Sequence, residues 1–390
     1  MPSLLSSTVA LSLAGAASCE YLFASHYSGQ VYTLNLTNSS SHYSLAVSSV
    51  ITACGGLPSW LTYDATAKNV YCSDETMSGT GSISSFSANG NDALTVTGKT
   101  NAPIGGVANV LYGGATGDGY VAIAHYQSSK VSTFRLPITS SSQPQQVFTF
   151  TMNGHGPNYG RQDAPHPHHV VVSPNGQFLM SPDLGADQIR VWSINQSNGN
   201  LTACPSYMVP GGTGPRHATF DTVSNGSRVV MYVANELANS ISVTRVTFPG
   251  SGCPIFQPLE YINPFPNNKT APSGSKVAEV HVSGTHLYST TRVDKTFSGN
   301  DSVATWTIDQ TSGMLNFVDL HDSWGTYPRT FSINKAGTLL AVGDQTTANV
   351  AILAINATGG LSSNPVAYLR LGSAGYPENE DGLSSVVWAE

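Results

Sequence analysis

The stretch RQDAPHPHHVVVSPNG, residues 161–176, places His166, His168 and His169 within four positions and runs directly into Val170, Val171 and Val172. Imidazole at the mouth of an apolar strand suits proton transfer, because it titrates near neutrality and can donate or accept. It suits a metal less well. On an extended strand only alternate side chains share a face, so His166 and His168 can converge but a third ligand is not evident. No metal or other cofactor is expected.

Similar groups recur along the chain. GPRHATF and YPRTFSI place Arg216 and Arg329 at the openings of apolar strands, much as PHPHHVVV places His168. Seven further strands, aligned on the apolar residue that opens each, carry at the position five residues later His26, Glu75, His125, Asp183, Glu236, Arg292 and Asp344. All seven are ionisable in a chain where 50 of 390 residues are. Strand ends meet solvent and favour polar side chains in any protein, but that predicts the Ser, Thr and Asn that dominate elsewhere. A ring of His, Glu and Arg instead suits an anionic, oxygen-rich small molecule, since guanidinium grips carboxylate in bidentate fashion. A His/Glu pair beside Arg also moves protons and stabilises an oxyanion. His26, His125, Asp183, Asp344 and one or both of His168 and His169 are thus expected at the ligand. No GxSxG elbow and no ring cysteine point to a covalent nucleophile.

These residues need elements that bring them to one place. Helical periodicity is nearly absent, while short Val/Ile/Tyr/Phe/Thr runs bounded by Gly, Asn, Asp and Ser recur throughout. A strand–loop–strand unit appears seven times, as in YVAIAHYQSSKVSTF (120–134) and LLAVGDQTTANVAIL (339–353), at intervals of roughly fifty residues. This spacing predicts an all-β fold, a seven-bladed β-propeller with four antiparallel strands per blade. Most copies follow another strand, the first does not, and SSVVWAE (384–390) has no copy after it. The C-terminal strand is therefore expected to complete the first blade and close the ring, making residues 20–390 one domain.

Residues 1–19 combine an apolar stretch with small residues at Ala14, Ala16 and Ala17, the pattern of a secretory signal. Eight Asn-x-Ser/Thr sequons, at Asn35, Asn38, Asn195, Asn200, Asn225, Asn268, Asn300 and Asn356, fit a glycosylated extracellular protein. Apart from Cys19, four cysteines remain; near-sequence pairing within a repeat joins Cys54 to Cys72 and Cys204 to Cys253. Only 10% of residues are charged and the net charge is -7, which excludes a basic field for nucleic acid or anionic membrane. The expected partner is an anionic, oxygen-rich small molecule.

PHPHHVVVSPNGQFL with DLGADQIRVW, GPRHATF, YVANEL and PRTFSINKAGTLL together resemble the seven-bladed propeller lactonase family, which contains bacterial 6-phosphogluconolactonase and the fungal 3-carboxy-cis,cis-muconate lactonizing enzyme. The chain looks like a secreted, fungal-type member. The resemblance implies catalytic roles for His168, Arg216 and Glu236, with Arg292 and Arg329 holding substrate carboxylate. It implies a metal-independent lactonase or lactonizing cyclase whose partner is a small-molecule lactone or carboxylate. A leader and sequons are foreign to a cytosolic sugar-phosphate enzyme, which leaves the substrate open. Two other functions stay open on the same fold: a secreted binding module without turnover, and a metal-dependent propeller lactonase.

Overall fold

The second strand of each repeat is the most apolar and contains many small residues, and packing explains why. In Tyr120–His125, Phe178–Asp183 and Leu339–Asp344 every residue is buried, because both faces of these strands are covered by neighbouring sheets. The outermost strands, such as His42–Ile51 and Ala93–Ala102, are mostly exposed, with buried residues at intervals. A computed structural model describes residues 18–39, 42–90, 93–266 and 269–390. The described residues form seven four-stranded antiparallel sheets, the blades of a propeller.

Blade one comprises residues 18–51 with 383–388, blade two 58–102, blade three 106–149, blade four 171–208, blade five 215–262, blade six 276–322 and blade seven 328–370. The ring closes as expected. Leu383–Trp388 is the innermost strand of blade one, paired antiparallel with Ser18–His26. It also joins the flanking blades: Trp388 Nε1 donates to Ser332 O at 3.0 Å in blade seven, and Ser384 Oγ donates to Pro58 O at 2.5 Å in blade two. The buried apolar residues fall into seven clusters, one between each pair of adjacent blades. The core is thus a ring of interfaces around a polar channel.

The expected leader lies almost wholly outside the described residues, as does the sequon at Asn268. Its last two residues, Ser18 and Cys19, already belong to the first strand and pair with Asn38 and Thr37. Both expected disulfides are present, Cys54–Cys72 and Cys204–Cys253. The expectation that each lies within one repeat is corrected. Cys204 is on the outer strand of blade four and Cys253 on a loop of blade five, while Cys54 sits between blades one and two. Adjacent blades pack face to face, so residues far apart in sequence meet across the interface.

Candidate active site

Every blade has one extra residue where its inner strand begins. The pairing register slips by one at Ser384, Ser59, Val107, Arg216 and Arg329, between Val277 and Val280, and between Pro167 and Val171. Such a bulge re-aims a side chain that the pleat would otherwise turn aside. In four blades a proline precedes this position, giving Pro58-Ser59, Pro167-His168, Pro215-Arg216 and Pro328-Arg329. Proline lacks an N–H and opens a strand where no donor is needed.

Three residues at these bulges, His168, Arg216 and Arg329, line a cavity of about 310 Å³, together with Tyr27, Glu75, Tyr126, Glu236, Arg292 and Gln345 from the ends of the second strands. That volume suits a small organic ligand. Arg161, from the loop before blade four, and Glu378 and Glu380, from the segment before the closing strand, also line it.

Glu236 is the electrostatic centre. Its Oε2 lies 2.9 Å from Arg216 Nε and 2.7 Å from Arg292 Nη2, and its Oε1 lies 2.7 Å from Arg161 Nη1. Burial alone would raise this carboxyl, but Arg161, Arg292 and Arg216 together outweigh it and hold the group well below the usual carboxylate range. A carboxylate in that state accepts protons poorly at neutral pH. As a carboxylate it balances three guanidinium groups. A second cluster lies opposite. Arg329 Nε donates to Tyr27 Oη at 3.1 Å and Arg329 Nη2 to Ser59 Oγ at 2.8 Å and Glu75 Oε2 at 3.2 Å.

His168 is buried beside these cations, and burial, then Arg216, hold its imidazole well below its ordinary 6.5. It is a neutral ring at neutral pH. Its Nδ1 lies 3.2 Å from His217 Nε2.

The structure brings His168, Arg216, Glu236, Arg292 and Arg329 to one cavity and leaves His26, His125, Asp183, Asp344 and His169 out of its lining. The reason is register. His26, His125, Asp183 and Asp344 pair with the first residue of the inner strand, one position before the residues that line the cavity, and so point the other way. The seven-residue ring read from sequence mixed the two positions. The four excluded groups staple loops and strands. His26 Nε2 meets Ser373 O at 2.9 Å, and His125 Nε2 meets Ser132 Oγ at 2.7 Å. Asp183 accepts from the His166 and Ala186 amides and pairs with Arg190 at 2.7 Å, while Asp344 accepts from Ser323 and Asn349. His169 stacks on His217, ring centroids 4.4 Å apart, and His166 stacks on Tyr126 at 4.1 Å.

Sequence reasoning missed Arg161, Tyr27, Tyr126 and Glu378. Arg161 opens the histidine stretch itself, but it lies in a loop, and a strand alignment does not reach it. Tyr27 and Tyr126 each follow a histidine that was selected one residue early. Among the described residues no group of three or more His, Cys, Asp or Glu side chains is arranged to hold a metal ion.

Inward-facing guanidinium groups around a buried histidine, at the mouth of a closed propeller, define a propeller protein with a cavity of small-molecule size. The chain belongs to the seven-bladed β-propeller lactonase family, whose model matches residues 21–376. It is 30% identical over 236 residues to a probable 6-phosphogluconolactonase of Arthroderma benhamiae, covering 60% of this chain and 59% of that protein. It is 28% identical over 233 residues to the 6-phosphogluconolactonase of Bacillus subtilis, covering 60% of this chain and 62% of that protein. The matched region thus spans about three fifths of these relatives. Among solved structures, a putative 6-phosphogluconolactonase from Bacteroides uniformis superposes with a TM-score of 0.76 at 21% identity, covering 95% of this chain and 99% of that one. The periplasmic gluconolactonase of Pseudomonas aeruginosa superposes at 0.74 and 22% identity, covering 95% and 99%. At these identities the structures speak for the fold.

Proposed function

We propose that this protein is a secreted lactonase that opens the ring of a carboxylate-bearing, oxygen-rich lactone without a metal. The observation that carries this reading is the pairing of a neutral buried base, His168, with four arginines, Arg161, Arg216, Arg292 and Arg329, in a cavity whose carboxyl groups are Glu75, Glu236, Glu378 and Glu380. In this reading His168 takes a proton from water as the oxygen attacks the lactone carbonyl. Arg216 and Arg292 lie where an oxyanion develops. The ring C–O bond then breaks and the leaving oxygen recovers the proton from His168, giving a hydroxy acid whose new carboxylate remains among the arginines. Glu236 keeps those arginines in place. Relatives named for 6-phosphogluconolactone and gluconolactone hydrolysis support lactone chemistry. Two disulfides support an oxidising compartment, and no described helix is long and apolar enough to cross a membrane.

The test is turnover of a panel of aldonolactones and muconate-type lactones by purified protein, followed by acid release. Hydrolysis that survives chelation and is lost in His168→Ala supports the proposal. Binding of the hydroxy acids with no turnover of any lactone would make the protein a binding module. Chelator-sensitive turnover would make it the metal-dependent kind.

A further inference from the structure

Behind His168, away from the cavity, stands a line of buried polar groups that lactone binding does not require. His217 follows the bulged Arg216 and so faces the channel interior. Its Nε2 lies 3.2 Å from His168 Nδ1, and its Nδ1 lies 2.9 Å from Glu279 Oε2 and 3.1 Å from Oε1. His217 is 0% exposed and Glu279 is 1% exposed. Glu279 occupies in blade six the place that His217 occupies in blade five, just past the bulge. The ion-pair partners of Glu279 are two imidazoles, His217 and His281, and a carboxylate buried among them is costly.

We propose that Glu279 and His217 are positioning residues that form a proton relay behind His168, so that a proton accepted at the cavity comes to rest on Glu279. The assignment rests on the lactonase reading above. The alternation of donors dictates the direction. Above about pH 8, where Glu279 is ionised, His217 carries its hydrogen on Nδ1 and its Nε2 accepts from His168 Nδ1–H, which leaves His168 Nε2 as a lone pair for the cavity. When attacking water gives a proton to Nε2, His168 Nδ1–H passes to His217 Nε2 and His217 Nδ1–H passes to Glu279. The reverse shift returns the proton to the leaving ring oxygen. No atom is gained or lost, and no imidazolium has to persist beside three arginines.

The surroundings favour this end point. Burial pushes Glu279 up to about 8, against the opposing pull of Arg216 and Arg329. Burial and Arg216 hold both His168 and His217 well below 6.5. The other titratable group facing Glu279 is His281, on the same strand, with Nε2 3.6 Å from Oε1. His169 stacks on the His217 ring with centroids 4.4 Å apart, and Trp60 packs against it at a tilt with centroids 5.1 Å apart, which restrains the imidazole.

The experiment compares wild type, Glu279→Gln, His217→Phe and His168→Ala on the best lactone of the panel. Glu279→Gln is expected to lower kcat roughly tenfold or more with KM within about twofold, since the relay does not touch substrate. It should also move the acid limb of the pH–rate profile to lower pH, because the proton must then reside on an imidazole that the arginines disfavour. A purely structural role would lower the rate and leave the limb in place. Unchanged kcat and limb in both Glu279→Gln and His217→Phe, with His168→Ala inactive, would overturn the relay and leave the lactonase reading standing. Nitrogen-15 NMR of the histidine side chains tests the relay without turnover. At pH 9 both rings should be Nδ1–H tautomers, and an Nε2–H tautomer at His168 would overturn it.

Discussion

Arg216 Nε and Glu236 Oε2 lie 2.9 Å apart with each side chain 1% exposed, a fully buried ion pair contributed by the first and second strands of one blade. Arg216 Nη1 also donates to Ala278 O at 2.6 Å, so the pair ties blade five to blade six. Burial and the like charge of Arg292 push the Arg216 guanidinium down, which makes the Glu236 carboxylate its necessary partner.

Removing the negative charge without changing shape should therefore be expensive. Glu236→Gln leaves Arg161, Arg216 and Arg292 facing one another unneutralised and is expected to cost roughly 3–5 kcal/mol, the scale of a broken buried pair. Urea denaturation measures this. A loss below about 1 kcal/mol would show that water already screens the cluster.

Position relative to the bulge separates chemistry from architecture. His168→Ala is expected to reduce kcat on a lactone substrate by ~10² or more, the scale of lost general-base catalysis, while melting near the wild type. His125→Ala should do the opposite, lowering melting temperature with kcat unchanged, because His125 bonds Ser132 inside blade three and does not line the cavity. Equal loss of kcat in both would argue that the register assignment is wrong.

Glu279 makes stability depend on pH in a stated direction. Burial favours its protonated form, so the native protein binds this proton more tightly than the unfolded chain, whose value is the ordinary 4.5. The resulting stabilisation is complete below about pH 4.5 and is lost as pH rises through about 8. Wild type should lose stability across that interval relative to Glu279→Gln. Parallel curves for the two proteins would contradict the protonated assignment.

The disulfides should contribute unequally. Cys204–Cys253 closes a separation of 49 residues and Cys54–Cys72 one of 18. Chain entropy predicts contributions of about 4 and about 3 kcal/mol respectively. Paired Cys→Ser variants compared by denaturation check the order, and a larger loss from the shorter loop would point to lost packing at Cys54 and Cys72, both fully buried.

Much of this was legible in the amino-acid order. The recurring buried second strands, the unmatched C-terminal strand and the cysteine pairings are local or nearly periodic signals, and a propeller repeats one local solution seven times. His168, Arg216 and Arg329 were found because each opens an apolar strand, a position readable from the local sequence. Arg161 was not, because its loop has no period, and His217 and Glu279 were not, because each reads locally as an ordinary strand residue.

The order of residues by itself determined the strands, their number and the closure of the ring, since alternation, turn chemistry and blade length are properties of short segments. Only the tertiary structure decided which side chains share the cavity. On the second strands a shift of one position separates Glu236 and Arg292, which line the cavity, from His125 and Asp344, which do not. Only ring closure brings Tyr27 to Arg329 across 302 residues of chain, and only the packing of blade four on blade five brings His168 to His217 across 49. Alternation along a strand repeats every two residues, and a slip of one residue, invisible in composition or periodicity, exchanges the binding face for the structural one.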